Sequence, residues 1–418
     1  MRIGSPVHVL AAAALLAALA SCATPTPPPL PTPALDPAGP LQAKVGSLVH
    51  FDTRNLDGPV VWSVNGSVGG SAAVGTVADG DYQAPARVPT DPVVTVAAAL
   101  AADPARLADA KVTITAPGTL YVLDAGVYVY NDMDGADGDI APDRTFQIDG
   151  VDPSNDYYGM VVAPSHDAAF IGVQQTGTNV FRVDDVSSAS GAVTATGFST
   201  SGRENPAGLA YDVERDILYV ATEYALLAYD DASTAPDGKE PDRVLAGPTV
   251  ELLVLDYDTR VNLDVANDRL FVSNNNGQVG VYDNASTVDG DVAPDRLVEL
   301  DAAFSYIWGA AYDARRDELY LADQSEEGVF VIATVSSING MVTPARHIAG
   351  AATQFLGPSQ ASYDLANDRL VVIDADADDI KVFDAASTLD GDVAPSRVIG
   401  GASLPIDYPY GGYLDPSQ

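Results

Sequence analysis

The sequence is poor in the residues from which most active sites are built. Its single cysteine excludes an internal disulfide, so no disulfide framework supports folding. Histidine is nearly as scarce. Of four, His8 falls within the first 21 residues, which read as a leader, and His50, His166 and His347 lie far apart with no Ser-His-Asp wording nearby, which disfavours nucleophilic catalysis. Basic residues are few: 21 Lys and Arg stand against 58 Asp and Glu, a net charge of −37. Such a surface repels phosphate backbones at long range, so nucleic acid is not expected as a partner. Zinc-ligand spacing and a phosphate-cradling glycine loop are both missing. What is plentiful is glycine (36) and proline (29), and with 47% hydrophobic residues these describe a folded, turn-rich chain. At 418 residues it should divide into two or three units.

The first 21 residues carry one charge, Arg2, then an apolar stretch from Val9 to Ala20, then small residues. This is the layout of a secretory signal, and about a dozen apolar residues fall short of the ~20 that span a bilayer. The lone cysteine follows directly in Leu19-Ala20-Ser21-Cys22, which resembles a bacterial lipobox. The resemblance implies cleavage before Cys22, lipidation of its thiol, and an exported protein anchored to the cell envelope; two acyl chains hold stably where one does not. Residues 22–40 include Pro25, Pro27, Pro28, Pro29, Pro31, Pro33, Pro37 and Pro40 and read as an extended tether.

Residues 41–117 show short β-rich runs (Val60–Val64, Val93–Val96, Lys111–Thr115) between Gly, Pro and Asp clusters, the spacing of an all-β sandwich. Trp62 shares a strand face with Val60 and Val64 and is expected in its core. The wording Trp62-Ser63-Val64-Asn65-Gly66 through Gly80-Asp81-Tyr82-Gln83-Ala84-Pro85 resembles bacterial Ig-like modules, although no Cys-Trp-Cys signature is present.

From residue 118 a repeat takes over. Asp212, Asp264, Asp313 and Asp364 occupy equivalent places at steps of 52, 49 and 51 residues. A second string is phased with the first: Tyr229-Asp230-Asp231-Ala232-Ser233-Thr234 to Arg243, Tyr282 to Arg296, and Phe383 to Arg397. Each unit of ~50 residues holds four β-rich runs, the pattern of a propeller blade. The tail Tyr410–Asp415 matches the opening strand that the first unit lacks and is expected to pair beside Leu120–Leu123. Residues 118–418 therefore predict a six-bladed β-propeller closed by the C-terminal strand. The wording Leu319-Tyr320-Leu321-Ala322-Asp323 resembles propellers of the NHL-like kind. The fold class expected for the whole chain is all-β, an Ig-like sandwich plus this propeller.

Three chemistries are open on this frame. Tyr158, Tyr257, Tyr306, Trp308, Tyr408 and Tyr410 precede or enter opening strands, where they either seal the junctions between blades or line the channel mouth for a protein, glycan or small-molecule ligand. Asp124, Glu223, Asn274, Asp323 and Asp374 recur at one place per blade and are candidates to hold Ca2+ in the channel. Resemblance to six-bladed calcium-dependent lactonases and esterases would make that ion a Lewis acid. Their equivalence from blade to blade argues instead for a structural role. A looser Ca2+ candidate is Asp132, Asp134, Asp137 and Asp139, although Ala136 takes a ligand position of the EF-hand pattern and no Glu closes the loop. The recurring Asp-Gly pairs suit turns, and Arg144, Arg243, Arg296, Arg346 and Arg397 are expected to pair with carboxylates. The leading expectation is a non-enzymatic binding module on an anchored lipoprotein. Its alternatives are a Ca2+-dependent hydrolase and a structural surface-layer component.

Overall fold

A computed structural model of the protein describes residues 30–152, 154–175, 177–250, 255, 258–301 and 306–417. Cys22 with the segment before it, and Tyr257, lie outside the described residues. The fold is all-β, and its strands form nine sheets among the described residues.

Three of these sheets belong to the N-terminal unit. In Asp103–Thr115 the side chains alternate, Ala108, Ala110, Val112 and Ile114 facing in and Asp109 and Lys111 facing out, as the two-residue strand period requires. This strand pairs with Val93–Leu100, which pairs in turn with Val60–Val64. Phe51, Val64, Tyr82, Val96 and Val112 fill the core, and Trp62 packs against it while partly exposed. The tether expected to reach Pro40 ends earlier. Ala34–Asp36 is a strand paired with Asp52–Arg54, and Leu35, 3% exposed, belongs to the core. A lone leucine among prolines gives no periodicity; the strand is held by its ladder to Asp52–Arg54, the Arg54–Asp36 ion pair and the burial of Leu35 together.

The other six sheets follow the repeat. Their first strands are Gly411–Asp415, Tyr157–Ala163, Gly208–Asp212, Arg260–Asp264, Ile307–Asp313 and Pro358–Asp364. Each packs against the next, and Pro358–Asp364 packs against Gly411–Asp415, so the series returns to its start. The tail pairs antiparallel with Thr119–Leu123, from Thr119 opposite Asp415 to Leu123 opposite Gly411, in the place expected for it. Close approach of neighbouring first strands explains two glycines. A Cβ on Gly208 would stand 2.6 Å from the Thr259 carbonyl, and one on Gly309 would stand 2.5 Å from the Gln360 backbone.

The repeated residues join strands and sheets. Asp167, Asp216, Asp268, Asp317 and Asp368 have φ between 49° and 56°, each at the turn after a first strand, and Asp tolerates that region better than most residues. Each also accepts bonds from a serine about 20 residues on: Ser187, Ser233, Ser286, Ser336 and Ser387. Between third and fourth strands, Asp137, Asp237, Asp289, Asn339 and Asp390 each accept a backbone N–H from the outer strand of the neighbouring sheet, at 2.9 to 3.2 Å. Arg243 and Arg296 pair doubly with Asp230 and Asp283, as expected of them. Arg144 departs from that expectation and donates to the Val186 and Ala189 carbonyls of the next sheet. Arg346 does both, pairing with Glu318 and reaching the Ala386 carbonyl at 3.0 Å.

The N-terminal unit sits on the face bearing these turns. Asn367 donates to the Ala116 carbonyl (2.9 Å), Arg369 to the Pro117 carbonyl (3.3 Å), and the Val88 N–H to the Ser417 carbonyl (3.0 Å). The starts of the first strands point to the other face.

Candidate functional site

On that other face the first strands begin irregularly. Tyr157 pairs with Val173 and Gly159 with Gly172, which leaves Tyr158 as an extra residue in its ladder; Trp308 is extra in the same way between Ile307 and Gly309. Such bulges break strand alternation and re-aim a side chain. Here they accompany two large aromatics at a shared mouth. Tyr410 comes from the residue before Gly411–Asp415, and Tyr306 and Tyr408 from the approaches to their strands.

The rings touch. Tyr158 stacks on Tyr410 with centroids 4.9 Å apart and planes at 22°. Trp308 lies 5.4 Å from Tyr306, 5.9 Å from Tyr408 in an edge-on arrangement, and 6.5 Å from Tyr410. Gln324 ties this group to the neighbouring hairpin by donating to the Tyr408 hydroxyl (2.8 Å). Together with Gln174, Asp258 and Arg260, four of these aromatics line a cavity of about 340 Å³. Of the six aromatics expected at the mouth, the five that are described come together, and Tyr257 lies outside the described residues.

Asp258 and Arg260 form the floor, 6% and 5% exposed. Burial pushes the Asp258 carboxyl up, opposed by the Arg260 charge and by hydrogen bonding with Asn275 and Tyr306. Asp124 is also pushed up by burial, against the backbone N–H groups of Asp407 and Ala125. Asp156 is raised by burial and by the charge of Asp124. Sequence reasoning missed Asp258 and Arg260, yet a signal existed. Counting back from the recurrent Asp, Arg260 stands where Gly208, Gly309 and Gly411 do in three other units, a place that Gln360 takes in a fourth.

The expected channel carboxylates do not share a centre. Asp374 accepts the Leu356 and Gly357 N–H groups at 2.9 and 2.8 Å and the Lys381 ammonium at 2.9 Å. Asn274 closes its own turn onto Asn276 and Gln278, and Asp323 accepts the Glu326 N–H. Asp124 takes the Asp407 N–H at 2.9 Å, while Glu223 bonds Tyr224 and Asn205. The acidic loop is likewise spread out. Asp132 caps its own turn, Asp134 pairs with Arg369, Asp137 accepts the Val398 N–H and Asp139 the Ser403 N–H. Among the described residues, no group of three or more His, Cys, Asp or Glu side chains is placed to hold a metal ion. Neither Ca2+ set expected from sequence gathers around one centre; its members bond separate backbone and side-chain partners.

A larger cavity of about 580 Å³ lies at the opposite end, between the N-terminal unit and the turns, walled by Val88, Pro89, Pro92, Val162, Val213 and Leu365. It is a mainly apolar gap at a junction, although Arg87, Asp91, Tyr211 and Asp415 also line it.

No protein-family model matches the chain, and no curated protein matches it. Among solved structures it is similar to a chain in the crystal structure of a nidogen/laminin complex, at 12% identity and a TM-score of 0.49, covering 71% of this chain and 97% of that one.

Proposed function

We propose that this is an exported, lipid-anchored binding protein of the bacterial cell envelope. On this reading Cys22 carries the lipid, a proline-rich tether leads to an Ig-like sandwich, and the six repeat sheets are the blades of an NHL-like propeller closed by Gly411–Asp415. The cyclic packing of the six first strands supports the closed ring. The observation that carries the function is the convergence of Tyr158, Tyr306, Trp308 and Tyr410 on one cavity over a buried Asp258 and Arg260. Aromatic walls with a few fixed polar groups are what a ligand pocket needs, whereas residues that only sealed blade junctions would enclose no space. The mouth faces away from the N-terminal unit.

Two experiments test the two halves of this reading. Nitration of surface tyrosines, mapped by mass spectrometry with and without a small-molecule and glycan extract of the envelope, should show Tyr306 and Tyr410 protected by the extract. Unchanged nitration would count against the mouth. Cys22→Ser should move the protein from the membrane to the soluble fraction, and an unchanged distribution would refute the anchor.

A further inference from the structure

The chemistry of the mouth narrows the ligand class, on the premise that the mouth is a binding site. Its lining holds four aromatic rings, Tyr158 stacked on Tyr410 and Trp308 beside Tyr306. The charges around these rings are mostly of one sign. Asp156 and Asp258 act on Tyr158; Asp156, Asp124 and Asp407 act on Tyr410; and Asp378 accepts the Tyr408 N–H at 2.8 Å. Arg260 is the cation acting there, and it stands against Asp258 on the floor. With Arg260 set against Asp258, the other charged side chains around these rings, Asp124, Asp156, Asp378 and Asp407, are all acidic.

Different ligands fare differently against this arrangement. An anion is repelled by the rim. A neutral sugar uses the rings but leaves the carboxylate field unanswered. A bare divalent ion needs several oxygens on one centre, and the described carboxylates do not gather into such a group. A large cation whose charge is spread over alkyl groups answers both features, because it is attracted to the negative faces of aromatic rings and needs no directional coordination. The upward shifts of Asp124 and Asp156 come first from burial, with repulsion from Asp407 and Asp378 on Asp124 and from Asp124 on Asp156.

We infer that the mouth binds a small organic cation bearing an alkylated ammonium group, held in the cavity that Tyr158, Tyr306, Trp308 and Tyr410 line, with the surrounding carboxylates as its counter-charge. The source is a free amine in preference to a phosphocholine headgroup, whose phosphate would face the acidic rim.

The test uses the full chain with Trp62→Phe, which leaves Trp308 as the sole tryptophan. Choline titrated at low ionic strength should change Trp308 emission saturably and bind about ten-fold or more tighter than its uncharged isostere 3,3-dimethylbutan-1-ol. Added salt, and the paired rim changes Asp156→Asn and Asp407→Asn, should weaken choline several-fold and leave the isostere unchanged. Tyr306→Ala, at a partly exposed position, should weaken choline without disturbing the fold. Choline tighter than phosphocholine assigns the free amine. The reverse order overturns that assignment but supports the ammonium class, provided both exceed the isostere. Equal response to choline and the isostere overturns the cation inference while the binding reading stands. No response to any of the three also overturns it, and only a parallel failure of extract protection would carry the binding reading down with it.

Discussion

Asp216 and Ser233 are joined twice: the Ser233 N–H donates to Asp216 Oδ1 at 2.8 Å and its hydroxyl donates to Oδ2 at 2.7 Å. Asp216 also accepts from the Tyr211 hydroxyl at 2.8 Å and holds φ at 55°. Three donors and one strained backbone position thus depend on a single carboxylate. Ser233→Ala, which keeps the N–H bond, should cost about 1 kcal/mol in urea unfolding. Asp216→Ala should cost about 2–3 kcal/mol, since it removes all three bonds and places a Cβ-bearing residue without a polar anchor at positive φ. Equal losses in the two variants would show that the carboxylate does not organise the turn.

Gly350 tests the contact between neighbouring sheets. Its φ is 131°, and a Cβ there would lie 2.5 Å from the Asp392 carboxyl, whose Oδ1 accepts the Ala352 N–H at 2.6 Å. Gly350→Ala should destabilise by about 1–3 kcal/mol. Adding Asp392→Ala should cost less than the sum of the single changes by about 0.5–1 kcal/mol, because the clash is shared. Strict additivity in the double-mutant cycle would place the cost in the backbone alone.

These two relationships explain why the repeat could be read from sequence. The Asp and Ser positions recur because each pair links the turn after a first strand to the segment after the third, and the Asp-Gly pairs recur because each reaches a neighbouring outer strand. The tail was legible for the same reason, since Gly411–Asp415 repeats the wording of a first strand. The mouth was only half legible. Its aromatics precede or enter first strands in plain view, but the bulges at Tyr158 and Trp308 depend on register, and Asp258 and Arg260 depart from the repeat that guided the reading. The recurrence that argued for a structural role of the channel carboxylates goes with a local task in the fold, as the two backbone bonds to Asp374 illustrate.

Removal of the C-terminal strand bears on closure. Without Gly411–Asp415, Thr119–Leu123 loses a ladder partner along all five residues and becomes an open edge. A chain ending at Tyr410 should lose its cooperative thermal transition or aggregate, and calorimetry unchanged from the full chain would contradict a ring that depends on the tail.

Acid stability should report Asp283. Hydrogen bonds and charge from Arg296 and Arg269 lower its carboxyl from 3.8 to about 2. A carboxylate depressed on folding adds stability at pH values above its unfolded value, and that contribution disappears as pH falls through the folded value. Wild type should therefore lose stability between about pH 4 and pH 2 in part through this group. Asp283→Asn should flatten that segment of the curve in pH-dependent unfolding, while an identical slope would remove Asp283 from the balance.

The binding mouth itself is tested most directly by labelling both tryptophans, Trp62 and Trp308, with 5-fluorotryptophan and following the two fluorine resonances as choline, and separately the envelope extract, is added. A saturable shift of the Trp308 resonance with Trp62 unmoved is the expected result. A shift confined to Trp62, or no shift of either resonance with either addition, would contradict a ligand site at the aromatic mouth.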